Sequence, residues 1–301
     1  MKRNSTILLG ILVLLAIGTY LVLQQEGEQS RASSVGDPLV KYDSASVDKL
    51  EIFANGNTIV LEKQAGKWML TSPSTYPADE TAVTAAVGKG KELSVTGLIS
   101  TNPEKQSLYA VDSAGTLVKI FANNNAVASL RIGKPSSNWT ETYARKEGSN
   151  EVYTVSGTLG PIFIRETDNW RDKTIFKADQ NTINEVKFLY PAKRGPADTT
   201  FALVRKDTVN WAIGKDSVGS AVTNFLNYLS NFQTDEFIST PQTTAKDLAG
   251  MIEVNGTQLR FYKRPDNKYD VQTSAAPYWF SVSEWKAGQL LKRKSDFVSS
   301  K

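Results

Sequence analysis

The chain has 301 residues, 40% of them apolar and 22% charged, which supplies material for substantial cores and argues against wholesale disorder. It contains neither cysteine nor histidine, so disulfides, thiol nucleophiles, zinc sites built on Cys or His, and any Ser-His-Asp triad are excluded. The net charge is +4, but Lys2 and Arg3 supply two of the 35 Lys and Arg; the remaining 33 face 31 Asp and Glu, too even a balance for a nucleic-acid surface.

Residues 7–23 form an unbroken stretch without charge, preceded by Lys2 and Arg3 and followed by Glu26 and Glu28. As a helix it would span about 26 Å, at the lower limit for a hydrocarbon core of about 30 Å. The charge order keeps residues 1–6 in the cytoplasm and sends the rest across. The expectation is therefore a single-pass protein of the cytoplasmic membrane, with its C-terminal ectodomain outside. The alternative is a signal peptide cleaved near Ala16-Ile17-Gly18, although the apolar run continues past that point. Residues 24–41, polar and rich in Ser, Gly and Gln, read as a flexible tether.

The ectodomain opens on a meander. Residues 50–52 form a strand, Asn55-Gly56 signals a two-residue hairpin, 58–62 return, Ala65-Gly66 turn again, and 67–70 make a third strand. Asp79 reads as the N-cap of a helix whose Ala82, Val83, Ala86 and Val87 form one apolar stripe, with Gly88 and Gly90 weakening its end. A looser region at 96–110 leads to a second strand cluster at 117–121, 127–132, 142–145 and 152–155, with Asn123-Asn124-Asn125 as a turn. A short helix at 159–165 and a polar turn around Trp170 close this half.

The pattern then restarts. Residues 183–189, 201–205 and Trp211 answer the first meander, 217–229 answer the Asp79 helix, and 251–254, 258–262, 269–271 and 278–280 answer the second cluster. Ser283 caps a last helix in which Trp285 takes the place of Trp170. The fold class expected is α+β: tandem duplicated β-rich modules, small antiparallel sheets each with a packed helix, over 42–178 and 179–301, behind one transmembrane helix.

Repetition of Trp68, Trp170, Trp211 and Trp285 argues for core packing. The candidate contact residues are the aromatics outside that register or beside it: Trp139, in the loop Pro135-Ser-Ser-Asn-Trp139-Thr, with Tyr143, and Tyr278 with Trp279. Asp79 is a cap rather than an acid catalyst. Asp168, Arg171 and Asp172 read as a surface turn with local ion pairs, and Glu141, Arg145 and Glu147 as one solvated strand face. Phosphate-loop, nucleophile-elbow and EF-hand patterns are missing, so no catalytic residue, cofactor or metal is expected.

Three lines of sequence resemble a bacterial family, the domain of unknown function 4340: Trp68-x-Leu70-x-x-Pro73-x-x-Tyr76-Pro-Ala-Asp79-x-x-x-Val83, Tyr143-x-Arg145 with Val152-Tyr-x-Val155, and Trp170-Arg-Asp-Lys173. The usual small-residue spacing after Val87 is replaced here by Gly-Lys-Gly-Lys. The resemblance implies an N-terminally anchored envelope protein, in some members linked to ABC-type transport systems. It brings no catalytic residues. The expected function is a non-enzymatic interaction protein with a partner in the envelope, and the alternative is a glycan- or polymer-binding module using exposed aromatics.

Overall fold

The computed structural model describes residues 33–191 and 200–298. The apolar segment 7–23 lies outside the described residues, and among the described residues no helix is long and apolar enough to cross a membrane. The architecture is β-rich, with antiparallel sheets and a few helices, and the chain divides between Arg171 and Asp172 into two compact units.

Unit 1 contains β1 (Val47–Ala54), β2 (Asn57–Gln64), β3 (Lys67–Ser72), β4 (Tyr76–Pro77), β5 (Val95–Ser100), β6 (Thr116–Ala122), β7 (Asn125–Pro135), β8 (Glu141–Lys146) and β9 (Val152–Ser156). They form one antiparallel sheet in the order β4-β3-β2-β1-β6-β7-β8-β9-β5. The hairpins follow from local chemistry: Asn55-Gly56 and Asn123-Asn124 take positive φ at both central positions, as a type I′ turn demands. The meander and the second strand cluster, expected as separate small sheets, are instead joined through β1 and β6, where Leu50 faces Ile120 and Ile52 faces Val118. The region expected to be loose supplies the edge strand β5 and a 3-10 helix at Pro103–Tyr109.

Alternate residues of these strands make one apolar face. Leu50, Leu61, Leu70, Val118, Ile120 and Leu130 are buried there, and helix α1 (Glu80–Lys91) adds Ala82, Val83, Ala86, Val87 and Gly90 from its inner side. The Asp79 side chain accepts from Thr81 N and Ala82 N at 2.9 and 3.0 Å, and Lys89 and Lys91 sit in the last turn, where the helix dipole favours cations. Gly90 has a packing role: a Cβ there would come within 2.5 Å of Tyr42 Oη and 3.0 Å of Ile120 Cδ1. Burial raises the pKa of the Tyr42 phenol, which donates to the Val87 carbonyl. A short helix α2 (Gly160–Phe163) follows the sheet.

The tether expected over 24–41 stops short of its last residues. The Gly36 N–H donates to Val95 O, Val95 N to Asp37 O, and Leu39 N to Leu93 O, at 2.7–2.8 Å, while Leu39 is buried. Pro38 bridges Ser94 in antiparallel fashion. Polar composition concealed this, because the segment is held by its backbone and by one leucine.

Unit 2 begins with β10 (Thr174–Lys177), which pairs with β15 (Asn231–Gln233) as a separate ribbon. Its main sheet uses β11 (Glu185–Leu189), β12 (Thr200–Arg205), β13 (Trp211–Ile213), β14 (Asp216–Ser217), β16 (Glu236–Ile238), β17 (Leu248–Val254), β18 (Thr257–Lys263), β19 (Lys268–Thr273) and β20 (Trp279–Ser283). The order, β14-β13-β12-β11-β17-β18-β19-β20-β16, repeats that of unit 1 strand for strand. Helix α3 (Ala221–Leu229) holds the place of α1, starting later than the expected Ser217, which instead pairs with Ala212 in β14. Helices α4 (Glu284–Leu290) and α5 (Lys294–Phe297) close the chain.

Side chains repeat along with the topology. Lys63 faces Trp68 across β2–β3 with its ammonium 5.2 Å from the indole, and Arg205 faces Trp211 across β12–β13 at 4.7 Å. The core of unit 2 is more aromatic, with Phe188 stacked on Phe201 at 4.5 Å and Phe225 and Phe297 set edge-on at 5.4 Å.

Candidate functional site

Strand β7 ends at Pro135, after a register shift against β8 that begins at Ile132. The five residues 136–140 that join β7 to β8 are organised by Asn138. Its Oδ1 accepts from Ser136 Oγ at 2.6 Å and Thr140 N at 3.0 Å, and its Nδ2 donates to Glu141 Oε2 at 3.0 Å. Ser136 N donates to Glu141 O, Trp139 N to Ser136 O, and Gly157 N to Thr140 O, while Thr158 Oγ1 donates to Trp139 O.

Trp139 stands at its apex with φ 60°, and the residue is 74% exposed. A left-handed backbone is costly for a bulky residue, about 1–2 kcal/mol, and bulky residues are seldom found there. The loop thus holds a large apolar ring in water on a strained, hydrogen-bonded support.

The other expected contact residues are placed differently. Tyr143, on β8, is half-buried and packs its ring on Tyr109 at 4.8 Å. Tyr109 belongs to the segment that leaves edge strand β5 and crosses the outer face of the sheet. Tyr278 and Trp279 lie in unit 2, both half-buried, with the Trp279 ring 5.5 Å from Tyr262. Of the four, Trp139 is the freely presented aromatic.

Following the strand register from β1 and β11 places Asp270 where unit 1 has Tyr143. Both side chains hold the crossing segment, by different chemistry: Asp270 is fully buried and accepts from Gln242 N and Thr243 Oγ1 at 2.7 and 2.8 Å, with Arg264 Nη1 3.5 Å away. Arg145 belongs to the same arrangement in unit 1. Expected on a solvated face, it is buried, donating from Nε to Val111 O at 2.7 Å and from Nη1 to Ser149 O at 3.1 Å. Burial lowers the pKa of its guanidinium. The crossing segment covers Arg145, while Glu141 stays half-buried and Glu147 exposed.

Trp285 also departs from expectation. The residue is 59% exposed, and its indole meets Tyr228 edge-on at 5.6 Å. Helix α4 turns Ala287 and Leu290 inward, and two residues along a helix rotate a side chain by about 200°, which carries Trp285 to the outer side. Trp170, by contrast, is completely buried, with the Arg165 guanidinium 5.1 Å from its ring. Arg171 pairs with Asp168 at 3.0 Å, as a local ion pair should, and reaches Ser74 Oγ at 2.8 Å.

Two hollows border the described residues of unit 1. A hollow of about 60 Å³ lies between the β1–β2 hairpin and residues 163–167, and one of about 380 Å³ opens beside residues 37–41 and Lys146. Neither gathers the aromatic lining and convergent polar groups of a small-molecule site. Among the described residues no group of three or more carboxylates converges as a metal site would require.

A family model described as a domain of unknown function (DUF4340) matches residues 68–251, more than half of the chain. No curated protein and no solved structure matches.

Proposed function

The chain belongs to the DUF4340 family, and from that footing we propose that it is a membrane-anchored, extracytoplasmic, non-enzymatic interaction protein serving an ABC-type transport or envelope-assembly complex. Residues 7–23 hold it in the bacterial cytoplasmic membrane with its N-terminus inside. The observation that carries the reading is Trp139: a loop tied down through Asn138 holds an indole in left-handed geometry with the residue 74% exposed. Backbone strain of this kind persists where the surrounding structure enforces it for a use. A rigid aromatic knob suits the pocket of a protein partner, where Trp is a preferred anchor.

The test is purification of the full chain from its native membrane in mild detergent, with mass spectrometry of what accompanies it. Transporter subunits retained by the parent chain and lost with Trp139→Ala support the proposal. Retention unchanged by Trp139→Ala, or a chain that emerges alone, sinks it.

The second reading is a glycan- or polymer-binding module. The exposed Trp285 favours it, since an indole held edge-on against Tyr228 at 5.6 Å can offer its own face to a sugar. A glycan array probed with the full chain in detergent separates the two: binding lost with Trp285→Ala but kept with Trp139→Ala would select the polymer.

A further inference from the structure

Strand β5 is one edge of the unit 1 sheet, bonded to β9 on one side and, at Val95, to residues 36 and 37 on the other. Its register against β9 shifts twice, between Val95 and Gly97 and between Leu98 and Ser100. A regular strand would send successive side chains to opposite faces, one of them inward. The shifts undo this, and the adjacent Leu98 and Ile99 are 48% and 40% exposed. Leu108, in the 3-10 helix that follows, is 58% exposed, and Val35, in the segment laid along the start of β5, 72%. Lys105 lies one 3-10 turn from Leu108, on the same side, and is exposed.

The chain joins unit 1 at this rim. Ser33 N donates to Tyr153 Oη at 3.0 Å, and Tyr153 is the residue of β9 that faces Leu98. Residues 36–39 then run antiparallel to 93–95. Nine residues, 24–32, connect this point to the apolar segment 7–23. Fully extended they reach about 30 Å.

We propose that this rim of β5, with Leu98, Ile99 and Leu108, rests in the interfacial zone of the lipid bilayer that residues 7–23 cross. This rests on the anchor reading above. The short connection keeps Leu98 within reach of the surface. The aliphatic side chains bury in the boundary between headgroups and acyl chains, and Lys105 meets anionic headgroups. The rim then acts as a second foothold, fixing which way unit 1 faces and so where Trp139 is presented.

The native chain has no cysteine, so a single introduced thiol reports one position only. Leu98→Cys and Leu108→Cys would each carry an environment-sensitive fluorophore in the full chain, reconstituted in phosphatidylethanolamine–phosphatidylglycerol vesicles containing lipid brominated in the upper acyl chain. Lys67→Cys, at the exposed start of β3, is the aqueous control, and Leu15→Cys reports the anchor. The expected result is a blue shift and loss of most emission to brominated lipid at 15, 98 and 108, with none at 67.

Quenching at 15 without quenching at 98 and 108 overturns the rim proposal and leaves the anchor standing. Absence of quenching at 15 overturns both. A blue shift at 98 and 108 without bromine quenching means that protein covers the rim. Energy transfer between labelled copies would then identify a second chain, and its absence the chain's own N-terminal segment. Either outcome overturns contact with lipid.

Discussion

The backbone N–H of Asp79 donates to the carbonyl of Trp170 at 2.9 Å, while the Asp79 carboxylate caps helix α1. Next to this bond Ala78 bridges Arg171, and the Arg171 guanidinium lies 5.4 Å from the Tyr76 ring. Two lines of sequence some ninety positions apart, Tyr76-Pro-Ala-Asp79 and Trp170-Arg171, are thus halves of one joint that starts the helix and closes the unit. Asp79→Ala is expected to cost about 1 kcal/mol through loss of the cap. Trp170→Ala should cost about 3–5 kcal/mol, because a fully buried indole leaves a cavity. Urea titration of each variant measures both, and equal losses would disprove the division of roles.

The two helix glycines of α1 should respond with opposite signs. A Cβ at Gly88 meets nothing within 4 Å, so Gly88→Ala is expected to stabilise by about 0.5–1 kcal/mol. Gly90→Ala pushes a methyl into Tyr42 and Ile120 and should destabilise by about 1–3 kcal/mol. Thermal melts of the pair settle the matter, and a stabilised Gly90→Ala would mean that the helix does not approach the sheet as described.

Arg145→Met removes the donor from the Val111 carbonyl and should cost about 1–3 kcal/mol, the penalty of a buried acceptor left unpaired. If the residue stood on a solvated face the same change would be nearly neutral. Denaturant midpoints distinguish the two.

Glu147 is joined to Arg131 by two hydrogen bonds of 2.9 and 3.1 Å, and that pairing holds its carboxyl below the usual range. A depressed folded pKa contributes stability that is fully present above the unfolded value, about 4.3 for glutamate, and lost as pH falls through the folded one. From about pH 5 downward, through the folded value, the parent chain should therefore lose stability more steeply than Glu147→Gln. Unfolding midpoints at about pH 6, 4 and 3 check the difference in slope, and parallel curves would count against it.

Trp139→Gly should leave the melting temperature unchanged or raise it, since glycine adopts φ 60° without strain. Retention of partner subunits should fall at the same time. Loss of stability together with retention would mark Trp139 as structural.

Much of the local architecture was legible because its signals are local. Asn55-Gly56 encodes its own turn, Asp79 its own cap, and the stripe from Ala82 to Val87 its own buried face. The joining of two strand clusters into one sheet was not legible, because β1 and β6 meet across more than sixty residues and neither strand states its neighbour. Arg145 misled for a related reason: alternation in β8 separates two faces of a strand but does not say that a distant segment will cover part of the polar one. Trp285 matched Trp170 by position along the chain, whereas its exposure depends on where the turns of α4 place the apolar stripe. At the candidate site, Trp139 stood out in sequence as an indole in a turn. Its left-handed backbone and the Asn138 scaffold beneath it required coordinates.

The pinned segment at 36–39 also has a mechanical side. Its bonds to Leu93 and Val95 lie across the direction in which the chain runs out toward Ser33. Tension applied along that line loads them together in shear rather than peeling them one at a time. A pull on the chain ahead of Ser33 against unit 1 would therefore be borne by the rim of a nine-stranded sheet, with the buried Leu39 as its stop.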